Sequence, residues 1–238
     1  MELEFGLTKG LFNTQFAPLA AIGHYVLEEQ YLKPLNKIEI RSKSVKFTPQ
    51  DKLGQVFASI LAGCTHLSSV NTRLVPDHYL AHSWGWPTFT DQSNLSRNLD
   101  YLTQMNISQL REAVRTIWQA RSRTFRHDWR SFLWLDFDLS GLPCGKKSEQ
   151  AKKGYFSGKR NITGRQLARV SATEYGETIW SELYPGNRHT ITCLEPAVLA
   201  SESSLDLSPT KRKRVVWRLD GASGSDAFGK IRWMLARD

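Results

Sequence analysis

Asp136 and Asp138 sit inside an apolar, aromatic run of strand type, Ser131–Ser140, and Asp220 ends a second such run that begins at Val215. Strand side chains alternate, so Asp136 and Asp138 project from one face. A carboxylate buried in a strand is costly unless something compensates it. For a lone aspartate, an arginine partner or a strand-end cap is the ordinary compensation. Two on one face, a third on a candidate neighbouring strand and a basic surround favour a divalent cation held between strands. Such carboxylates suit magnesium or manganese, which prefer hard oxygen ligands. Paired ions can clamp a phosphodiester, one activating the attacking water or 3′-hydroxyl and the other stabilising the leaving oxygen.

The rest of the composition fits a polyanionic partner. The 238 residues carry a net charge of +9, which favours nucleic acid first and an acidic membrane surface second. A 40% hydrophobic content with 8 Trp is enough for a packed core and excludes a disordered chain. Cys64, Cys144 and Cys193 lie far apart with no C-x-x-C pair, which excludes a disulfide framework or a thiolate zinc site and implies a reducing compartment. The N-terminus lacks a signal-peptide pattern, and no run reaches the ~18 apolar residues of a membrane span. A cytoplasmic, nucleoid-associated protein without membrane contact is expected.

Three regions are expected to position the acids. Residues 1–46 read as an irregular or strand-forming N-terminal arm. Residues 47–130 read as a helical DNA-binding and dimerisation region. Residues 131–238 read as the catalytic core. Thr48-Pro49 is a helix start, and Leu53, Val56, Phe57, Ile60 and Leu61 recur at helical spacing as one apolar face. Phe89–Leu99 reads as a short helix, a turn and a second helix, with Leu95, Leu99 and Leu102 inward and Ser93, Asn94, Ser96 and Arg97 outward. Small polar residues and arginine on an exposed helix suit phosphate and base-edge contacts, and they equally suit a plain bundle face. A helix from Ser108 to about Arg123 carries Leu110, Val114, Ile117 and Trp118, with Arg111 and Arg115 among an arginine cluster opposed by Glu112 and Asp128.

After the first strand comes a basic loop. Between residues 140 and 170 stand Lys146, Lys147, Lys152, Lys153, Lys159, Arg160, Arg165 and Arg169, against Glu149 alone. These side chains would hold duplex DNA by its phosphates. Gln166–Thr173 and Thr178–Leu183 read as strands, residues 191–205 as a helix, residues 208–214 as a basic loop, and Ser225-Asp226 as the cap of a last helix. The order is strand, strand, strand, helix, strand, helix. An antiparallel meander followed by a crossover to a fourth strand is the RNase H-like order, an α/β (α+β) class with a helical region in front. That order makes Asp138 and Asp220 neighbours. His78 and His82 lack the glutamate of a zincin motif and read as structural, and Ser223 does not fit a nucleophile elbow.

From about Gln50 onward the chain resembles bacterial insertion-sequence transposases of the Asp-Asp-Glu type. Leu135–Ser140 is similar to the family's Leu-Asp-x-Asp-x-Thr/Ser strand, Gly186-Asn187-Arg188-His189 to its Gly-Asn-x-His segment, and Arg218–Ala222 to its Arg-x-Asp-Ser-Gly element. The resemblance also takes in Phe89–Leu99, Leu102-Thr103, Gln109-Leu110 and Gly154-Tyr155. It implies an RNase H-like core in which Asp138 is the first catalytic and metal-binding aspartate and Asp220 the second, with Asp136 in reserve for the first position. It implies a magnesium or manganese cofactor, terminal inverted repeats as the DNA partner, a homodimer on that DNA, and strand cleavage and transfer as the activity. The family's third acid, a glutamate well downstream of the second aspartate, has no counterpart among the 18 residues after Asp220. The expectation is therefore a truncated transposase or one half of a split frame, inactive alone. A non-catalytic repressor of transposition and an RNase H-like nuclease of junctions or hybrids are the competing readings.

Overall fold

The computed structural model describes residues 14–42, 46–156 and 159–219, together with Gly229 and Trp233. The chain divides into two units, Met1–Ala120 and Arg121–Asp238.

The first unit is helical: α1 (Ala17–Glu28), a 3-10 turn (Lys33–Lys37), α2 (Pro49–Leu61), α3 (Ser69–Arg73), α4 (His78–Ser83), α5 (Gln92–Asp100) and α6 (Gln104–Arg121). Helix α1 corrects the expectation of an irregular or strand-forming arm. Its proline lies in the first turn, where no backbone donor is lost, and Leu19, Ala20, Gly23 and His24 are buried. A Cβ on Gly23 would stand 2.3 Å from the Trp84 ring, so glycine permits that close approach.

Helix α2 starts as the sequence indicates. Thr48 Oγ1 accepts from the Asp51 amide (3.0 Å), and Asp51 Oδ2 accepts from the Thr48 amide (2.9 Å), a reciprocal cap. Its inward face differs from the periodicity. Leu53 is buried, but Phe57, Ile60 and Leu61 are 43%, 65% and 48% exposed, while Gln55, Ala58 and Ser59 point inward. The reason is a polar anchor: the buried Thr90 amide donates to Gln55 Oε1 at 2.7 Å.

That bond also keeps residues 89–91 out of a helix. Phe89–Leu99 therefore holds one helix, α5, capped by Asp91, whose Oδ1 accepts from the Asn94 amide at 3.0 Å. Leu95 is fully buried on it, as expected. Helix α6 begins four residues before the expected Ser108. Thr103 and Asn106 cap each other there: the Thr103 amide donates to Asn106 Oδ1 (3.0 Å), and the Asn106 amide to Thr103 Oγ1 (3.3 Å). Its buried positions are Asn106 and Ala113, whereas Val114 of the expected stripe is 54% exposed.

The second unit is built on a mixed sheet. It runs β1 (Leu133–Pro143), β2 (Lys152–Phe156), β3 (Lys159–Ala172), β4 (Glu177–Pro185), α7 (Thr190–Ser204), α8 (Pro209–Arg212) and β5 (Val215–Leu219). Strand β3 pairs antiparallel with β1, β2 and β4, and β5 lies parallel to β1. The row β4-β3-β1-β5 is a meander followed by a crossover to the far side of the first strand. A helical N-terminal region followed by a mixed sheet with flanking helices is the α/β architecture the sequence indicated.

One strand was not foreseen. The basic loop contains β2, and β3 begins at Lys159 rather than Gln166. Lysines and glycines mask the strand pattern; in β2, Lys152 pairs with Gly164 and Lys153 with Thr163. Lysine on an edge strand blocks pairing with another chain. The basic segment before β5 likewise contains a short helix, α8, capped by Ser208. In β1, Leu133, Leu135 and Phe137 are 0%, 0% and 3% exposed. Helix α7 packs against β1, β3 and β4 with Cys193, Leu194, Ala197 and Val198 buried. Burying each leucine is worth about 1.5–3 kcal/mol, which fixes which face of β1 looks outward.

Candidate functional site

With 133, 135 and 137 facing the core, Trp134, Asp136 and Asp138 occupy the opposite face of β1. The two aspartates have different surroundings. Asp136 lies beside Arg218 in the parallel β1–β5 register. The Arg218 guanidinium donates to both carboxylate oxygens, with Nη2 2.7 Å from Oδ2, and Thr173 Oγ1 also donates to Oδ2. The Arg218 hydrogen bonds hold the Asp136 carboxyl below the usual carboxylate range, against the upward push of partial burial. Reciprocally, Asp136 raises the Arg218 pKa. Asp138 accepts from Ser140 Oγ at 2.6 Å, Arg169 Nη2 stands 4.0 Å away, and its side chain is 50% exposed.

The two carboxylates that the sequence left as alternatives differ in their contacts. Asp136 ties β1 to β5 and to the residue after β3, so an arginine supplies its compensation. Asp138 has no such bidentate partner among the contacts above and stays half exposed. The pairing of β1 with β5 ends at Phe137 beside Leu219, and Asp220 lies outside the described residues, as do Ser223 and the cap at Ser225. Among the described residues no three His, Cys, Asp or Glu side chains gather as a metal site. With both Asp136 oxygens engaged, the described donors do not by themselves fit magnesium or manganese.

The expected DNA contacts fall in both units. Arg97 is exposed on α5, its Nε donating to Ser93 O at 3.2 Å, and Arg111 is exposed on α6. Arg115 is forked onto Glu112 with two 2.9 Å hydrogen bonds, so its charge is already paired. Lys146 and Lys147 are exposed in the turn after β1, and Lys152 and Lys153 are exposed on β2. Lys159 and Arg160 open β3, and their side chains lie outside the described residues. His78 and His82 are exposed on α4. No described helix is long and apolar enough to cross a membrane.

Two features escaped the sequence reading. Glu177 accepts from Ser122 Oγ (2.5 Å) and the Arg123 amide (2.7 Å). Burial pushes its carboxyl up, but these hydrogen bonds outweigh burial and lower it. Nearby, the buried His127 ring meets Tyr175 Oη through Nδ1 (2.7 Å) and Ser131 O through Nε2 (3.3 Å). A carbonyl only accepts, so Nε2 is the donor to Ser131 O. The partners are about fifty residues apart, with no local signal. The second feature is a set of cation–ring contacts: Lys211 over Trp129 (5.3 Å), Arg214 over Phe132 (5.9 Å) and Arg218 over Trp134 (5.7 Å). Aromatics two apart at 132 and 134, and arginines four apart at 214 and 218 on the segment paired with them, were the signal that could have found it.

No protein-family model matches the chain, and no curated protein matches it. Among solved structures, it aligns with the Mos1 transposase paired-end complex with left transposon end at 14% identity and a TM-score of 0.26, covering 83% of this chain and 58% of that one. A pre-cleavage Mos1 transpososome aligns at 13% identity and 0.26, covering 83% and 59%. The mariner Mos1 paired end complex with Mg aligns at 12% and 0.25, covering 84% and 60%. The chain thus spans less than two thirds of each. The similarity is distant, and scores this low do not establish a shared fold.

Proposed function

We propose that this chain is a transposase-related protein that binds double-stranded DNA at transposon ends. The observation that supports this reading best is the sheet row β4-β3-β1-β5 with β1 parallel to β5. Its register runs to Phe137 and Leu219, and Asp138 and Asp220 are the residues that follow these two in the sequence. The exposed lysines at 146, 147, 152 and 153 supply a phosphate-binding surface. Exposed Arg97 and Arg111 supply a second one on the helical unit. The apolar residues Phe57, Ile60 and Leu61, exposed on α2, support self-association into a dimer on DNA.

Metal-dependent strand cleavage and transfer is the finer form of the reading, with Asp138 and Asp220 as the acids and magnesium or manganese as the cofactor. Asp136 is already tied to Arg218, and binding without cleavage, as in a repressor derived from a transposase, is the form we infer for this chain. The test uses DNA from either side of the protein's own reading frame, with and without magnesium or manganese. Retention of end DNA over scrambled DNA, with no nicking, is the expected result. Absence of DNA binding overturns the proposal. Nicking that disappears in Asp138→Ala replaces the repressor form with the catalytic one.

A further inference from the structure

Phe132 and Trp134 are 52% and 45% exposed, although large aromatic rings on a sheet normally face its core. They sit two residues apart, Phe132 immediately before β1 and Trp134 on its outward face. Arg214 and Arg218, flanking Val216 on the partner strand, stand over their rings. The lower end of the same edge continues the pattern with Lys211 over Trp129 and with Arg130, which is 91% exposed and paired to Asp128. Among the described residues, these four cations stand with Asp128 and Asp136, and Asp138 follows on the same face of β1. Alternating rings and guanidinium groups form a surface for a ligand that is itself alternately flat and anionic.

We propose that this face of β1 and β5 binds an unpaired nucleic-acid strand, stacking its bases on Phe132 and Trp134 and pairing its phosphates with Arg214 and Arg218. The proposal rests on the DNA-binding reading above and adds the strand state. Every base has a π-face, so stacking on aromatic side chains holds a single strand without reading its sequence. A duplex keeps its bases stacked on one another and offers the rings nothing to cover. An acidic peptide would satisfy the cations and leave the rings exposed. Asp136 holds Arg218 in place through both carboxylate oxygens, so the guanidinium is positioned before a ligand arrives.

The test is fluorescence anisotropy of the full chain with a labelled oligothymidylate, with a duplex of the same length, and with heparin as a base-free polyanion. Phe132→Ala with Trp134→Ala is expected to weaken oligothymidylate binding about tenfold or more while leaving duplex and heparin binding unchanged. Trp134→Phe is expected to retain binding, and far-UV circular dichroism of each variant checks that the fold survives. Oligothymidylate binding that ignores both rings overturns the proposal, as does an equal ring dependence for heparin. Duplex binding without oligothymidylate binding removes this inference alone. Loss of both in the parent chain removes the DNA-binding reading as well.

Discussion

The helical unit and the sheet unit handle polar side chains in opposite ways. In the helical unit, buried amides tie loops to helices: Gln55 takes the Thr90 amide, Asn98 Nδ2 donates to Pro49 O at 3.1 Å, and Asn106 Nδ2 donates to Glu39 O at 2.9 Å. Large apolar residues of the same unit, Phe57, Ile60 and Leu61, are exposed instead. In the sheet unit, α7 lies over an apolar face, and the other face carries aspartates, arginines and aromatic rings. Interior polarity in the first unit therefore serves the fold, because a buried polar group must be paired. Surface polarity in the second is what the proposed binding would use. A charge count alone does not separate the two.

The largest test of this contrast is the apolar side of the sheet. Leu135→Ala should cost about 2–5 kcal/mol in urea unfolding, because the side chain is fully buried and leaves a cavity. A cost near zero would mean that α7 does not cover that face. Next is the polar interior of the helical unit. Asn106→Ala should cost about 1–3 kcal/mol, since it leaves the Thr103 amide without Asn106 Oδ1 and Glu39 O without its amide donor. Tolerance of that change would make the buried amides incidental.

A smaller effect belongs to the exposed ion pair at Asp136, and its sign follows from the lowered carboxyl pKa. Asp136→Asn should lower the urea midpoint slightly at neutral pH. The difference from the parent should be complete above the unfolded carboxylate pKa, about 3.9, and vanish as pH falls through the folded value. A difference that persists at the acid end would assign the effect to packing rather than charge. Smallest of all is the outward face of α2: Ile60→Ser should change stability by less than about 0.5 kcal/mol. A large loss there would restore the face that periodicity indicated.

What was legible in the sequence was whatever a local pattern sets. The Thr48 cap is local, and so is the alternation that buries Leu133, Leu135 and Phe137 beneath α7 and turns Asp136 and Asp138 outward. The strand order followed from segment order and the short turn at Gly176, whose φ of +66° suits glycine. Illegible were features decided by distant partners. Gln55 rotates α2 because it meets Thr90, 35 residues away. Strand β2 was masked by lysines that an edge position favours. The difference in surroundings between the two aspartates turns on Arg218, 82 residues beyond Asp136. Register, rather than residue type, separated a strand-tying carboxylate from a candidate ligand.

The most direct measurement is a salt titration of duplex DNA binding by the full chain and by a variant with glutamine at Lys146, Lys147, Lys152 and Lys153. If the sheet unit carries the phosphate-binding surface, log Kobs falls linearly with log salt in the parent. The variant then binds all sequences more weakly, and its slope is reduced by about one for each lysine that contacted a phosphate. An identical slope and affinity in the two proteins would contradict the account and return the lysines to the role of an edge-strand guard.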